Sequence, residues 1–537
     1  MDLNLKRLAA MTTVFALAGC GGGGGGSGGN GGGGSGGAPQ PQTVGGTASG
    51  VDGSGLTLQI NGANDITVNA NGSFTFGALP SGTAYTVTVR TQPSSPRQSC
   101  SVTNGTGTIA SGAVTNVAVS CRSLVGKFLY VPNLGSHDVS AYAINTTTGA
   151  LTAIGAAVPT GNSPLSVSTD PTERFIYTSN SGFAAAPLMP TAPSFSGYTI
   201  NSTTGELSPV TGSPFFVTGT GTPAGSTQTA LTFDASGKFA YLTARISGST
   251  SVDGVAIDAT GSLAPIPSSP FIVSPAASTA APGTFNRAGT RYYTTFGAGI
   301  LIFDVDATTG GLSLSGSTAA GSLTPAILTK DPADKYLYAT SIFLGNVAAF
   351  AIDATTGALT AVPGSPPATG GSGVVAVSVH RSGRFAYTLN SNSVPNPPTP
   401  STVAAFSIDE TTGALAAASG SPFPTGGSNA SNLFTTCVLE PRGRFLYVNN
   451  TGSNSISAFS IDQASGQLSA VTGSPFATDA MPSTPIPDPS GKFVYVASRV
   501  ASNVSSYAID QNTGALTLIN TLPTGTSPTS VRVVGLQ

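Results

Sequence analysis

Few side chains in this chain have the chemistry of a base or a nucleophile. Its 537 residues include two histidines, His137 and His380, and four cysteines, of which Cys437 lies within an apolar run. A hydrolytic site needs a base that activates water and donors that stabilise the oxyanion. A nucleophilic cysteine needs a neighbouring base, and cysteines buried in apolar surroundings are usually inert. We therefore expect Cys437 to pack as a small buried hydrophobe and predict no catalytic residue.

Neither histidine is predicted to be a base, and no metal site is expected. His137 stands beside Asp138, but adjacent residues on a strand rarely face one another. His380 is predicted to be a surface turn residue. Recurring turns such as Asn145–Gly149 and Asp353–Gly357 offer one or two carboxylates each, whereas calcium needs several converging oxygen ligands. The sequence predicts no metal and no cofactor.

Short β-strands must position these groups. The 70 glycines and 39 prolines suit strands joined by tight turns and disfavour long helices, so we expect an all-β chain. Only 8% of residues are charged and the formal net charge is -2, so no basic surface is available to release counterions from DNA or RNA. Nucleic acid is therefore not expected to be a partner.

One sequence motif recurs from Gly126 to the C-terminus. It consists of a basic residue in most copies, an aromatic residue, a small or aliphatic residue, and a tyrosine. The copies lie about 50 residues apart, the period of four-stranded propeller blades. The run Ser530–Val534 would complete the first unit and remove the exposed sheet edge. The sequence thus predicts a β-propeller over residues 126–537, with eight blades by count. The eight tyrosines are Tyr130, Tyr177, Tyr241, Tyr293, Tyr338, Tyr387, Tyr447 and Tyr495.

These units resemble the lactonase family of β-propellers, which includes 6-phosphogluconolactonase-like enzymes. The resemblance rests on the run Arg384–Asn390 after a Ser-Gly turn and on Ile-Asp-x-x-Thr-Gly-Ala-Leu between strands, and it covers about residues 126–537. It implies the fold, a seven-bladed alternative, and lactone hydrolysis. Family enzymes carry Pro-Arg-His at the start of an innermost strand and a Glu after the Tyr strand. Residue by residue, these positions hold Val374, Val375, Ala376 and Ser391 here.

Residues 43–122 are predicted to form a separate unit ahead of the propeller. Alternating runs such as Leu56–Ile60 and Ala84–Val89, with turn signals between them, predict about seven strands of a small β-sandwich. The unit resembles immunoglobulin-like or carboxypeptidase-regulatory-like modules of bacterial surface proteins, and we expect it to be a spacer. Cys100 and Cys121 are expected to form a disulfide in an oxidising compartment.

The N-terminus follows the pattern of an exported lipoprotein. A basic pair precedes an apolar stretch, and Leu17–Cys20 resembles the bacterial lipobox. We expect residues 1–19 to be a signal peptide, Cys20 to be lipidated, and the Gly/Ser-rich residues 20–42 to be a flexible tether. Glycine after the cysteine resembles the pattern sent to the outer membrane. The expected location is the cell envelope, with the membrane as a partner through the lipid anchor.

Two functions stay open at this point. In the first, the propeller is non-catalytic and binds a glycan, a polymer or an envelope protein through the loops of one rim, where Ser179–Ser196 and Asn390–Thr402 are long. In the second, it is a lactonase with a rearranged active site. The candidate binding residues on or beside the rim are Asn133, His137, Arg245, Asn390, Asn449, Asn450 and Arg499.

Overall fold

The structure is a computed structural model that describes residues 40–535 with short gaps, and its described residues are all-β. The predicted signal peptide, the lipidation site Cys20 and most of the tether lie outside the described residues. Among the residues that are described, no helix is long and apolar enough to cross a membrane. The gaps are residues 54, 94–95, 183–191, 217–226, 247–248, 275–280, 321–326, 342–344, 366, 372, 392–399 and 430–435.

The first region, which we call the N-terminal module, contains eight strands in two sheets of order β4-β1-β8-β6 and β3-β2-β5-β7. Alternate residues of both sheets contribute to one buried cluster, which includes Leu58, Tyr85 and Val119. The cysteines Cys100 and Cys121 face each other across β6 and β8 and form the predicted disulfide, with an S–S distance of 1.99 Å. The strands are β1 (Val44–Ser49), β2 (Leu56–Ile60), β3 (Ala63–Val68), β4 (Gly72–Thr75), β5 (Ala84–Thr91), β6 (Gln98–Thr103), β7 (Thr106–Thr108) and β8 (Val114–Ser123).

The second region is a β-propeller built from antiparallel sheets that follow one another along the chain, eight of them within the described residues. In the second to eighth sheets the innermost strand comes first in the chain, and the strand carrying the repeated tyrosine, which we call the Tyr strand, comes second. The first sheet begins with its Tyr strand. The first four sheets contain β9 (Phe128–Asn133), β10 (Asp138–Ile144), β11 (Leu151–Ala153) and β12 (Val158–Pro159); β13 (Pro164–Thr169), β14 (Phe175–Asn180), β15 (Ser194–Ile200) and β16 (Leu207–Pro209); β17 (Thr227–Gln228), β18 (Thr232–Phe233), β19 (Phe239–Ile246), β20 (Ser249–Ile257), β21 (Leu263–Pro265) and β22 (Ile272–Ser274); and β23 (Thr284–Phe285), β24 (Arg291–Phe296), β25 (Gly299–Val305) and β26 (Leu312–Ala319).

The last four sheets repeat this order, and one further strand completes the first sheet. They contain β27 (Ile327–Lys330), β28 (Tyr336–Thr340), β29 (Val347–Ile352) and β30 (Leu359–Ala361); β31 (Val374–Val379), β32 (Phe385–Asn390), β33 (Thr402–Ile408), β34 (Leu415–Ala417) and β35 (Phe423–Pro424); β36 (Cys437–Leu439), β37 (Phe445–Asn450), β38 (Ser455–Ile461), β39 (Leu468–Ala470) and β40 (Phe476–Ala477); and β41 (Ile486–Pro487), β42 (Phe493–Ser498), β43 (Asn503–Ile509) and β44 (Leu516–Pro523), with β45 (Arg532–Val534) last.

The recurring tyrosine motif connects neighbouring sheets. The Tyr130 hydroxyl of the first sheet donates to the carbonyl of Gly205 in the second at 2.8 Å. Gly205 has a φ of +76°, and a Cβ placed on it would lie 2.3 Å from Phe128 Cδ1. Only glycine therefore fits this turn. The same hydroxyl-to-glycine bond occurs at Tyr177, Tyr241, Tyr293, Tyr387 and Tyr447.

The two ends of this series contact each other. The C-terminal strand β45 pairs with β9, as the sequence predicted, so the innermost strand of the first sheet comes from the end of the chain. In addition, Phe493 of the eighth sheet packs on Gly149 of the first, where an added Cβ would lie 2.3 Å from Phe493 Cδ1. Five earlier sheets make the same Phe-on-Gly contact with their successors, while the fourth and fifth use Arg291 and Tyr336 in place of phenylalanine.

The propeller has two faces with different side chains. We call the end where the Tyr strands finish the asparagine face, because four of these strands end in asparagine: Asn133, Asn180, Asn390 and Asn450. At the opposite end, the turn face, a tight turn leads from each innermost strand to the Tyr strand. The described turns begin with Asp170, Asp234, Asn286, Asp331, His380, Glu440 and Asp488.

Candidate functional site

The predicted binding rim corresponds to the asparagine face, and the structure places four of its predicted residues beneath the surface. Asn133, Asn390 and Asn450, which end Tyr strands, and Asn449 are each 0% exposed. Asn180, which sequence reasoning did not single out, is equally buried at the same position of the second sheet. The long loops predicted on this rim lie mostly outside the described residues, at 183–191 and 392–399.

Each asparagine that ends a Tyr strand holds its own sheet together at the rim. The Asn450 amide nitrogen donates to Ser455 Oγ at 3.0 Å and Ser457 Oγ at 2.7 Å on the adjacent strand β38. The Asn390 amide nitrogen donates to Thr402 Oγ1 at 3.1 Å and to the Thr369 carbonyl at 3.0 Å. An amide nitrogen has two donors, so both are used inside the protein. A structural role therefore accounts for these amide nitrogens, whereas the buried Oδ1 atoms of Asn133, Asn390 and Asn450 have no hydrogen-bond partner among the described residues.

A glycine of the connection before each such sheet packs directly on the asparagine. A Cβ added to Gly427 would lie 2.4 Å from Asn450 Cγ, and one added to Gly371 would lie 2.6 Å from Asn390 Cβ. The repeated Thr-Gly pairs ahead of the innermost strands, such as Thr425-Gly426, mark these connections in the sequence. We call the buried asparagine and the glycine packed on it a clamp. A Thr-Gly pair ahead of a sheet whose Tyr strand ends in asparagine is the sequence pattern that indicates a clamp, and sequence reasoning did not use it.

His137 is half-buried and takes part in the rim without forming a dyad with Asp138. Its Nδ1 accepts the backbone N–H of Ser163 at 2.9 Å, so a neutral imidazole carries its proton on Nε2. The Asp138 carboxylate instead accepts the Asn133 amide at 2.6 Å. The carboxylate is thus engaged elsewhere and does not orient the imidazole, which agrees with the expectation for adjacent residues.

The remaining predicted rim residues divide into one exposed side chain and a small cluster. Arg245, at the end of β19, is exposed. Asn449 bridges two segments, since its side-chain oxygen accepts from Thr436 N at 3.0 Å and its nitrogen donates to Pro482 O at 3.0 Å. Half-buried Arg499 lies against the same proline in a cavity of only about 10 Å³. Asn449 and Arg499 therefore both lie beside Pro482.

The innermost strands carry mostly hydroxyl and aliphatic side chains, with the aromatic Phe233 and Phe285 and two cations. Among the described residues of the innermost strands β13, β17, β18, β23, β27, β31, β36, β41 and β45 there is no aspartate, glutamate or histidine. The cations are Lys330 and Arg532, and the Arg532 guanidinium donates to Thr169 Oγ1 on the neighbouring innermost strand at 2.6 Å. Cations can bind an anion, but water activation needs a base that these strands lack.

Cys437 has the properties of a packing residue. It is 1% exposed, at the start of the innermost strand β36 and within an apolar cluster that includes Leu389 and Val448. Burial raises the pKa of its thiol to about 11. Because the thiolate is the reactive form, this thiol is a poor nucleophile at neutral pH, as the apolar run around it predicted.

His380 begins a turn as predicted, but it is buried, 3% exposed, so the expectation of a surface residue was wrong. Its Nε2 lies 2.9 Å from the Gly443 carbonyl of the next sheet, and its Nδ1 lies 2.8 Å from Ser382 Oγ. Desolvation lowers the pKa of the imidazole, which favours the neutral form. The side chain joins two turns because the neighbouring turn glycine approaches it closely.

In the Thr-Gly turns between the outer strands, the leading carboxylate caps backbone N–H groups, as the sequence predicted. Asp353 Oδ1 accepts the backbone N–H groups of Thr355 at 3.0 Å and Thr356 at 2.7 Å. These bonds, the one from Thr356 foremost, lower the pKa of the Asp353 carboxyl. Across the part of the chain that the structure describes, no group of three potential metal-ligating residues occurs.

One buried carboxylate in the third sheet was not singled out from the sequence. Asp253 is 2% exposed and accepts a hydrogen bond from Ser251 Oγ at 2.5 Å. Its strand position, opposite the residue that follows the tyrosine, holds serine in the second and seventh sheets, at Ser196 and Ser457. Desolvation raises the pKa of Asp253 to about 6. Because Asp253 is buried, its carboxylate cannot contact a ligand at the rim.

The sequence matches a family profile described as lactonase, 7-bladed β-propeller, over residues 97–192, 194–376 and 369–533. The chain belongs to this family, as its repeated motifs predicted. The match begins inside the N-terminal module, ahead of β9, and the family is described with one blade fewer than the number of propeller sheets among the described residues. Among curated proteins, none matches the chain.

Solved structures of similar fold have varied activities. The periplasmic gluconolactonase PpgL of Pseudomonas aeruginosa aligns over 77% of this chain and 99% of its own, with 19% identity and a TM-score of 0.50. The dihydro-heme d1 dehydrogenase NirN aligns over 76% and 75%, with 13% identity and a TM-score of 0.50. A Bacteroides fragilis protein with the provisional name 6-phosphogluconolactonase aligns over 76% and 98%, with 19% identity and a TM-score of 0.49. At these identities the likeness shows the fold alone.

Proposed function

We propose that this protein is an exported, lipid-anchored β-propeller that binds a glycan, a polymer or an envelope protein and does not hydrolyse its ligand. One observation carries the proposal. The described innermost strands offer two cations and no base, and the candidate nucleophile and acid–base side chains elsewhere are buried or bonded to the scaffold. Binding needs only complementary surface, whereas hydrolysis also needs an activated water.

The binding surface is the asparagine face. Its buried asparagines hold the rim in shape, and the side chains that reach the surface are those of Arg245, Arg499 and His137. These residues can donate hydrogen bonds to hydroxyl, carbonyl or carboxylate groups, which glycans and protein loops both display. The long loops that the sequence predicts on this rim, Ser179–Ser196 and Asn390–Thr402, would add contact area, because loops on a rigid scaffold are a common site of recognition.

The architecture suits display at the envelope. We infer that the eight sheets close as eight blades, and that the N-terminal module is a β-sandwich spacer over residues 43–122 ahead of a propeller over 126–537. The lipobox-like segment ending at Cys20 supports a signal peptide over 1–19 and a lipid anchor, and the Gly/Ser-rich residues 20–42 support a flexible tether. The glycine after Cys20 favours the outer membrane, on its periplasmic or external side.

A lactonase with a rearranged active site is the second candidate, and family membership favours it. In that case Arg532 and Lys330 would bind the carbonyl or carboxylate of a lactone in the channel. The base would have to come from His137, whose Nδ1 would first have to release the Ser163 N–H because Nε2 carries the proton of the neutral ring, or from another residue of the rim. A lactone would have to contact the cations of the channel and the base of the rim at the same time.

Hydrolysis of a panel of sugar and aromatic lactones by the full-length, detergent-solubilised protein separates the two candidates. We expect no turnover above the uncatalysed rate from a monodisperse sample. Turnover that is lost in both His137→Ala and Arg532→Ala, but retained in Arg174→Ala, would establish the lactonase instead. Arg174 is the matched control because it is an exposed arginine on the opposite face.

The anchor has a separate test. Metabolic labelling with a palmitate analogue should place the label on the wild-type protein and leave Cys20→Ser unlabelled, and the variant should leave the membrane fraction. Equal labelling of both proteins would place the lipid elsewhere, and no labelling of either would remove the anchor from the proposal. Neither outcome depends on the lactone assay.

A further inference from the structure

A second candidate site lies on the turn face, remote from the rim discussed above. A cavity of about 650 Å³ separates the N-terminal module from the turns of four consecutive propeller sheets, the fourth to the seventh. Gly55 and Thr91 of the module line one side. Its volume is in the range of sites for small organic ligands. We call it the junction cavity.

The module is held over the turn face from two sides. Asp52 forms an ion pair with Arg442 of the seventh sheet, at 2.8 Å, and its carbonyl accepts from Arg381 of the sixth at 3.1 Å. Arg97 forms an ion pair with Glu173 of the second sheet at 3.2 Å. In a cycle of eight sheets, the second and the sixth stand opposite each other. The module therefore spans the mouth of the channel and forms a wall of the cavity.

The carboxylates that line the junction cavity are committed to the protein. Asp331 Oδ1 accepts the N–H of Tyr336 at 2.6 Å. The two Glu440 oxygens accept the N–H groups of Arg442 at 2.9 Å and Arg444 at 2.6 Å. These bonds stabilise the turns. The carboxylate oxygens therefore accept from backbone N–H groups and do not face the cavity.

Among the cations that line the same cavity, Arg287 has the exposed side chain, whereas Lys330 and Arg381 already have partners. Asp334 accepts the backbone N–H of Arg287 at 2.6 Å and forms an ion pair with Lys330 at 2.5 Å, which places both basic residues beside one carboxylate. The Arg287 side chain is exposed, and none of the ion pairs formed within the described ranges uses its guanidinium. Arg381 approaches from the sixth sheet, between the cavity and Asp52. Three basic residues thus line the junction cavity.

We propose that the junction cavity binds a small organic oxyanion, with Arg287 as the principal contact and Lys330 and Arg381 as supporting charges. A guanidinium binds a carboxylate or phosphate through two parallel N–H donors, which a single point charge cannot do. The cavity is larger than an inorganic ion requires, so a ligand with a carbon frame and two or more anionic groups fits it. The module completes the site through Gly55 and Thr91.

Titration calorimetry on the full-length, detergent-solubilised protein tests this proposal with citrate as the probe and neutral trimethyl citrate as its control. We expect saturable citrate binding, about tenfold weaker in Arg287→Ala because a charge-assisted bidentate contact is lost, and no binding of the ester. Arg174→Ala, an exposed arginine on the same face but outside the cavity, should match the wild type.

Several results would overturn the proposal. These are no citrate binding by the wild type, equal binding of the ester, or equal weakening by Arg174→Ala. Inorganic phosphate as a second probe separates an organic ligand from a free ion, because phosphate binding as tight as that of citrate would contradict the role of the carbon frame. The site lies on the face opposite the rim, so these outcomes leave the proposed rim function untouched.

Discussion

Buried polar groups stabilise both faces of the propeller, but only on the turn face do they leave cations beside a cavity. On the asparagine face, amides such as that of Asn450 bond to hydroxyls of their own sheet and seal the rim. On the turn face, carboxylates such as that of Glu440 cap the turns and leave neighbouring cations at the surface of a cavity. Repetition around the ring therefore marks scaffold, and the side chains that break the repetition mark candidate function.

The largest expected effect tests whether the ring of sheets is closed. Phe493 packs on Gly149 across the junction between the eighth and first sheets, and Phe445 makes the same contact with Gly514 between the seventh and eighth. Both phenylalanines are at most 5% exposed. We expect each Phe→Ala change to destabilise the protein by about 3–5 kcal/mol, since a large buried ring is removed. Urea unfolding followed by tyrosine fluorescence measures both.

The comparison between the two variants carries the test. In a closed ring, Phe493→Ala and Phe445→Ala cost the same within error. A cost near zero for Phe493→Ala beside a full cost for Phe445→Ala would mean that the eighth sheet is a free end, and the eight-bladed arrangement would be wrong.

A smaller effect distinguishes the third sheet from its neighbours. Asp253 stands where the second and seventh sheets carry serine, and desolvation raises its pKa to about 6 from an ordinary value of 3.8. Its protonated form is favoured in the folded state, so the stability it supplies is present below about pH 4 and is lost as the pH rises through about 6. Asp253→Ser should therefore stabilise the protein at pH 8 by up to about 3 kcal/mol, since each pKa unit is worth about 1.4 kcal/mol.

The pH dependence is the informative readout for this variant. At pH 4 the Asp253→Ser protein should unfold at nearly the same urea concentration as the wild type, and the two should separate as the pH rises. A constant difference across this range would show that the change acts through packing rather than through the charge of Asp253.

The smallest effect concerns the rim clamps. Asn450→Ala removes two hydrogen bonds and leaves the hydroxyls of Ser455 and Ser457 without their donor, which should cost about 1–2 kcal/mol. The exposed Asn512, in an outer turn, provides the matched control, and Asn512→Ala should change stability little. Thermal unfolding measures both. If Asn450→Ala left stability unchanged but abolished ligand binding, the asparagine would be a contact residue, contrary to the clamp.

Much of the fold was predictable because it repeats. Eight copies of the tyrosine motif and the turns that end in glycine specify eight sheets. Their reason is local, because a tyrosine hydroxyl needs an acceptor and only glycine fits against the side chain of the preceding sheet. The disulfide followed from two cysteines in one small unit. Periodicity and composition are enough for contacts of this kind.

The site was harder to predict because the same residue type serves scaffold and ligand equally well. Asparagine at a strand end reads as an exposed donor, yet Asn390 is buried beneath Gly371, which approaches from a connection about 20 residues earlier in the chain. His380 is buried for a similar reason, since Gly443 of the next sheet covers it. Burial at these positions depends on which distant glycine packs there, and strand alternation carries no information about that.

The central claim is that the asparagine face binds an envelope component without catalysis. Binding of the full-length protein to isolated envelope glycan and polymer fractions, measured by biolayer interferometry, tests it most directly. The account predicts saturable binding that is lost when Arg245→Ala and Arg499→Ala are combined and is retained in Arg174→Ala. The absence of saturable binding to any fraction, or binding that the rim variant retains in full, would contradict it.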